Sequence, residues 1–144
     1  MLAKTRSIAV VSLLAFGLSL ALPALEFHPS RRDDADYVWS GGQALILGWQ
    51  AVFVRNFAWF ANPAYFASLL LLLRRRWRAA AAVGSLALLL ALHALALVGR
   101  QLPADEGGVN VTEVVRLHAG FYVWLASMLP VIVGAHAFRR GSLQ

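Results

Sequence analysis

GGQALILGWQAVFVRNFAWFANPAYFASLLLLLRRRWR, residues 41–78, is an apolar stretch interrupted by Arg55, Asn56 and Asn62-Pro63 and closed by an arginine block. As one helix rising about 1.5 Å per residue, Gly41 to Leu73 would reach roughly 50 Å, against a hydrocarbon core of about 30 Å. Two crossings with a turn need roughly 40 residues or more. The stretch is too long for one straight span and too short for two, so a break must be built into it. The interrupting polar residues place that break: a half-helix or interfacial helix over 42–54, a bend near Arg55-Asn56, and a spanning helix over 57–73.

The rest of the 144-residue chain has the same character. It is 60% hydrophobic and 14% charged, with a mean hydropathy of +0.65, whereas a soluble domain is about half apolar and a quarter charged. This reads as an integral membrane protein with no separate soluble domain. Lys4 and Arg6 precede an uncharged run from Ser7 to Leu25, the length of a transmembrane helix. A signal peptide would have an apolar core of only about 7 to 15 residues, so an uncleaved anchor fits better. Glu26 to Ser40 reads as a polar loop with interfacial Tyr37 and Trp39, and Arg100 to Asn110 as a second loop, from Pro103 and Gly107-Gly108. Between them, residues 79–99 form an Ala/Leu span. The last span runs from Thr112 to Phe138, with its apolar centre over 117–137. Asn110 or Thr112 would cap it, Glu113 would lie in its first turn, and Pro130 would kink it.

Charge sets the expected orientation. All seven acidic residues fall between Glu26 and Ser40 or between Arg100 and Arg116. Lys4, Arg6, Arg74, Arg75, Arg76, Arg78, Arg139 and Arg140 lie where there is no acid. By the positive-inside rule those cations face the cytoplasm, both termini included. The expected fold class is therefore all-α: a bundle of four transmembrane helices, with spans over 7–25, 57–73, 79–99 and 117–137 and the half-helix before the second. The net charge of +6 reads as topology. Its basic residues sit at span ends, apart from any aromatic-studded polar face, so nucleic acid is not an expected partner.

Few residues invite chemistry. The absence of cysteine excludes disulfides, thiolate metal sites and cysteine nucleophiles. His93 and His118 stand at unequal depths, His136 lies at the other end and His28 is in a loop. Together with the lack of a C-x-x-C-H or H-E-x-x-H motif, this predicts no haem or metal and no other cofactor. The spacing in ADEGGVNVTE (residues 104–113) departs from a calcium loop, and Asn110-Val111-Thr112 fits the glycosylation pattern by letters alone. The serines have no histidine and acid at a recognisable spacing, so no nucleophilic enzyme is expected. The candidate polar cluster is Arg55, Asn56, Asn62, His93, Glu113, His118 and Tyr122. Arg55 would cost about 2.5 to 3.5 kcal/mol near a helix centre, so it should snorkel to the interface or meet an acid such as Glu113 or Glu106. Asn56 and Asn62 can satisfy the backbone freed at the bend. Phe121, Tyr122 and Trp124 read as an aromatic belt, with a quinone or lipid groove as the rarer alternative.

GGQALILGW, FAWFANP followed by LLLLLRRRWR, LPADEGGVN and HAGFYVWLASM together resemble a group of small, uncharacterised bacterial inner-membrane proteins over roughly 39–135. The resemblance implies a bacterial envelope setting and about four crossings, and it carries no activity or site residues. The expected function is non-catalytic: an accessory or scaffolding subunit in the lipid bilayer, packing with its own copies or with a larger membrane-protein partner. The rival is a small-molecule module, with a pocket between the bend and the last helix gated by Arg55, Asn62, His93 and Tyr122 and fitted to an anion, lipid or quinone.

Overall fold

A computed structural model describes residues 2–30, 35–103 and 110–141. Helix α1 (Leu2–Ala21) ends where Pro23 and the restriction it places on Leu22 stop a helix. α2 (Gly41–Leu47) continues as a 3-10 segment, Gly48–Val54. A short 3-10 turn, Ala58–Phe60, leads into α3 (Ala61–Leu73). α4 (Trp77–Leu92) tightens into a 3-10 segment, His93–Leu97, and α5 (Ala119–Gly141) closes the chain with Pro130 inside it.

Three helical stretches, Ala3–Ala21, Trp77–Leu97 and Ala119–Arg139, are long and apolar enough to cross a membrane. Gly41–Val54 and Ala58–Leu73 are shorter apolar helices. The helices are patterned the opposite way from those of a soluble bundle. On α1 the buried stripe is Thr5, Ala9, Ser12, Phe16 and Ser19, while Val10, Val11, Leu14 and Leu18 face outward. On α4 the buried stripe is Ala80, Ala81, Gly84, Ala87 and Ala91, with Leu86 and Leu89 exposed. Small and hydroxyl-bearing residues inside, with large apolar ones outside, are what close helix packing in lipid favours.

The expectation of an all-α fold is overturned by a four-stranded antiparallel sheet in the order β2-β1-β4-β3. Its strands are β1 (Pro23–Pro29), β2 (Tyr37–Ser40), β3 (Gln101–Pro103) and β4 (Val111–Leu117). The central pair aligns Leu25 with Leu117, Glu26 with Arg116 and Phe27 with Val114, with an irregular step after Glu26. The two segments read as loops therefore hold strands at one end of the bundle. Thr112 caps no helix: it is buried in β4 and its hydroxyl donates to the carbonyl of His28 at 3.3 Å. The β-branched run Val111, Thr112, Val114, Val115 suits a pleated, half-buried surface better than a helix. The helices consequently start and stop away from the expected limits: α1 stops before 25, α4 changes to 3-10 at His93, and α5 starts at Ala119.

Only Leu22 separates α1 from β1, and only His118 separates β4 from α5. α1 packs chiefly on α5, and α3 on α4. At the opposite end Arg75 takes the left-handed conformation (φ 58°), and Arg76 N–H bonds back to the Leu71 carbonyl at 2.9 Å. That closure ends α3 and turns the chain into α4. There Trp77 meets Phe138, ring centroids 4.9 Å apart, so the arginine turn and the end of α5 share one basic end. The main core lies between the helices around Tyr65, Leu72, Met128 and Val131. A second core, around Phe27, Val114, Leu117 and Phe121, lies under the sheet.

Candidate functional site: the break and the cavity beneath it

The broken segment begins at a capping box. Ser40 Oγ accepts from Gln43 N–H at 3.3 Å, and Gln43 Oε1 accepts from Ser40 N–H at 2.9 Å, which satisfies two amides at the start of α2. The 3-10 segment stops where Arg55 turns left-handed (φ 59°). Such a turn leaves backbone groups without helical partners, and inside a protein each must find another.

Asn56, only 1% exposed, supplies the partners. Its Nδ2 donates to the His93 carbonyl at 2.8 Å, and its Oδ1 accepts from Ala58 N–H at 3.0 Å. Phe57 N–H donates to His93 Nδ1 at 3.2 Å. That bond needs an unprotonated Nδ1, which places the ring proton on Nε2. His93 is thus the acceptor that fastens the break to the tightened end of α4.

Asn62 does the same toward α5. Its Nδ2 donates to the Trp59 carbonyl at 2.9 Å, and its Oδ1 accepts from Trp124 Nε1–H at 3.0 Å. Trp59 Nε1–H in turn donates to the Leu45 carbonyl at 2.6 Å. A continuous chain of side chains ties α2, the start of α3 and α5 together.

These fastenings surround a cavity of about 90 Å³ whose walls include Leu20, Leu45, Ala51, Trp59, Phe121 and Trp124. Two close backbone approaches shape its edge. A Cβ at Gly41 would lie 2.2 Å from the Ser19 carbonyl oxygen, and one at Gly120 2.7 Å from that of Pro23. No side chain fits at either position without moving backbone. Among the described residues no buried side-chain nitrogen or oxygen lacks a partner, so the polar edges of Asn62, Trp59 and Trp124 are already engaged and the cavity is apolar.

The seven expected site residues do not form one cluster. Asn56 and His93 meet, and Asn62 lines the cavity. Arg55 is exposed at the break, and among the described residues it makes no ion pair. Glu113 lies in β4 opposite His28 and Gln101, and Glu106 falls outside the described residues. His118 Nε2 meets Glu26 Oε2 at 2.8 Å, with Arg116 Nε 3.9 Å from the same oxygen. Tyr122 is 56% exposed, its ring edge-on to Phe121. Of the residues expected to gate a pocket, Asn62 lines this cavity, and Arg55, His93 and Tyr122 are not part of its wall.

Three further residues take part. Trp124 reads in the sequence as part of an aromatic belt and Trp59 as one apolar residue of the broken stretch; the one signal of more is their indole N–H groups, which need acceptors when buried. Arg100 reads as a loop cation, yet its Nη1 donates to the Val54 carbonyl at 2.6 Å, beside Arg55.

Deeper in the bundle, Ser12 Oγ–H donates to the Ser127 carbonyl at 2.6 Å. The 2.6 Å contact between Ser12 Oγ and Tyr65 Oη then needs the tyrosine proton, because a serine has one to give. Ser127 and Ser68 bond carbonyls of their own helices. Ser12 and Tyr65 thus tie α1, α3 and α5 together, and no histidine or acid among the described residues bonds to any of these hydroxyls. Nor do any three metal-ligating side chains converge among those residues. Comparison with protein-family models, curated proteins and solved structures finds no match to this chain.

Proposed function

We propose that this chain is a non-catalytic integral protein of the bacterial inner membrane. In this reading it is an accessory or scaffolding subunit that packs with its own copies or with a larger membrane protein. It crosses the bilayer four times, with the basic end and both termini in the cytoplasm and the sheet on the outer surface. The observation that carries the reading is the inverted patterning of α1 and α4: large apolar side chains such as Val11, Leu14, Leu86 and Leu89 face outward, while small and hydroxyl-bearing ones make up most of the inward face.

Ala58–Leu73 is the shortest crossing, about 24 Å at 1.5 Å per residue. The limb formed by Gly41–Val54 covers the remaining thickness as an interfacial arm. Its outward residues Ile46, Trp49 and Phe53 are exposed, and tryptophan and phenylalanine suit that depth. Catalysis has little to draw on, since Ser12, Ser19, Tyr65, Ser68, Ser127, Asn56 and Asn62 are engaged in hydrogen bonds within or between the helices. The ionisable groups at the sheet end that pair, such as His28 with Asp36 at 2.5 Å, do so on the sheet and its edges.

Crosslinking in native membranes followed by gentle detergent extraction tests the reading, the expected result being a discrete species larger than the monomer. A particle that stays monomeric at every concentration, with no crosslinked neighbour, would overturn it. A second reading, small-molecule binding, is favoured by the apolar cavity under the break.

A further inference from the structure

We infer that the cavity under the broken segment holds part of an acyl chain of an anionic phospholipid, whose phosphate is met by Arg55 and Arg100. This deepens the second reading and rests on the sheet end lying at a membrane surface. The cavity selects an apolar occupant. Its indole and amide groups are bonded to one another or to carbonyls, so a polar guest would lose hydrogen bonds to water and find none in exchange. At about 90 Å³ it is well below the roughly 300 Å³ at which pockets for drug-sized ligands begin. A segment of hydrocarbon chain fits such a space, and a sugar, polar all round, would lose its hydrogen bonds there.

The charge beside it selects the head group. Ala51 and Leu97 belong to the wall. Asn56 N–H bonds to the Ala51 carbonyl and Arg55 N–H to that of Val52, both at 2.9 Å, while Arg100 N–H bonds to the Leu97 carbonyl at 2.9 Å. Both arginines therefore ride on turns that are fastened to the cavity wall. The Arg100 guanidinium bonds the Val54 carbonyl, which brings it to the residue next to Arg55. Both side chains are exposed, and among the described residues neither has an acidic partner. Arg116, on the sheet, has Glu26. Two guanidiniums with no carboxylate partner among the described residues, beside an apolar cavity in a membrane protein, complement a lipid phosphate, whose oxygens match the guanidinium fork.

Native mass spectrometry of the delipidated full-length protein tests this, by titration with dioleoyl phosphatidylglycerol, dioleoyl phosphatidylcholine and inorganic phosphate. The expected result is a phosphatidylglycerol adduct that phosphatidylcholine and phosphate do not reproduce. Each cation near a charged surface is worth about fivefold in affinity, so R55Q/R100Q should weaken the adduct about 25-fold. Ala51→Phe, which fills the cavity and leaves both arginines, should displace it, and R74Q/R78Q at the basic end should leave it unchanged. Equal binding of the two lipids, binding of inorganic phosphate alone, or an adduct indifferent to R55Q/R100Q each overturns the proposal. R100Q also removes the bond to the Val54 carbonyl, so R55Q alone, which leaves that bond in place, should still weaken the adduct about fivefold at an unchanged melting temperature. Labelling of Asp36→Cys in intact cells by a membrane-impermeant maleimide tests the orientation separately. An unlabelled cysteine beside an intact adduct sinks the orientation and leaves the lipid site standing.

Discussion

The half of the bundle near the basic end and the half beneath the sheet solve one problem in two ways. Near the basic end the helices are continuous, their backbone groups bond within each helix, and Ala80, Ala81, Gly84 and Ala87 of α4 let neighbours approach closely. Beneath the sheet the backbone is broken at Arg55, and Asn56, Trp59, Asn62 and Trp124 hold the pieces by side-chain hydrogen bonds. Unbroken helices can close on each other until little space is left. A broken one is kept apart from its neighbours by the bulky indoles and amides that stabilise it, and the cavity is the residue of that arrangement.

The strongest way to break this comparison is at the edge of the cavity, where backbone meets backbone. Gly41→Ala should destabilise the protein by about 3 kcal/mol or more, because the Ser19 carbonyl cannot yield as a side chain does; the melting temperature in detergent reads it. A small loss would show that the sheet half is pliable after all.

Asn56→Ala comes next, at about 2 to 3 kcal/mol, since it strands the His93 carbonyl and the Ala58 amide in a buried place. Faster hydrogen exchange confined to residues 54–58 would locate the damage at the break.

Ser12→Ala asks whether hydrogen bonds matter in the continuous half as well. It leaves the Tyr65 hydroxyl without its partner and should cost about 1 to 2 kcal/mol, close to the upper range measured for polar contacts between membrane helices. Tyr65→Phe should cost less, because Ser12 keeps its bond to the Ser127 carbonyl. The reverse order in thermal melts would contradict the donor assignment.

Asp36→Ala, at the exposed pair with His28 whose side chains are 61% and 52% accessible, should change stability by no more than about 0.5 kcal/mol. A larger loss would mean that the sheet depends on this contact rather than on the core under it.

The interruption at Arg55-Asn56 could be read from the sequence because polar residues inside an apolar run that is too long for its task have few other meanings. The sheet could not. β1, PALEFHP, has prolines at both ends and a charge in the middle, and its partner β4 lies far along the chain with no hairpin turn to announce the pairing. VTEVVRL ran into the apolar run of α5 and read as the start of that helix, although its β-branched residues pointed the other way. The site was legible in part for the same reason. Asn56 and Asn62 stand out as polar residues at a bend, but their partners are a carbonyl in α4 and an indole in α5, which only the fold brings near. The Ser40 to Gln43 spacing is itself a capping-box pattern that the sequence displays.

The pairing of β1 with β4, and of α1 with α5, bears on when the protein can become whole. α3 and α4 are joined by only three residues, Arg74 to Arg76, and can close as soon as both have been made. α1 has its main partner in α5, and Leu25 meets Leu117, so the first part of the chain must wait for the last. Contacts so distant in sequence form slowly. The order of assembly therefore runs from α3 and α4 outward, and α1, although made before them, is among the last to be enclosed.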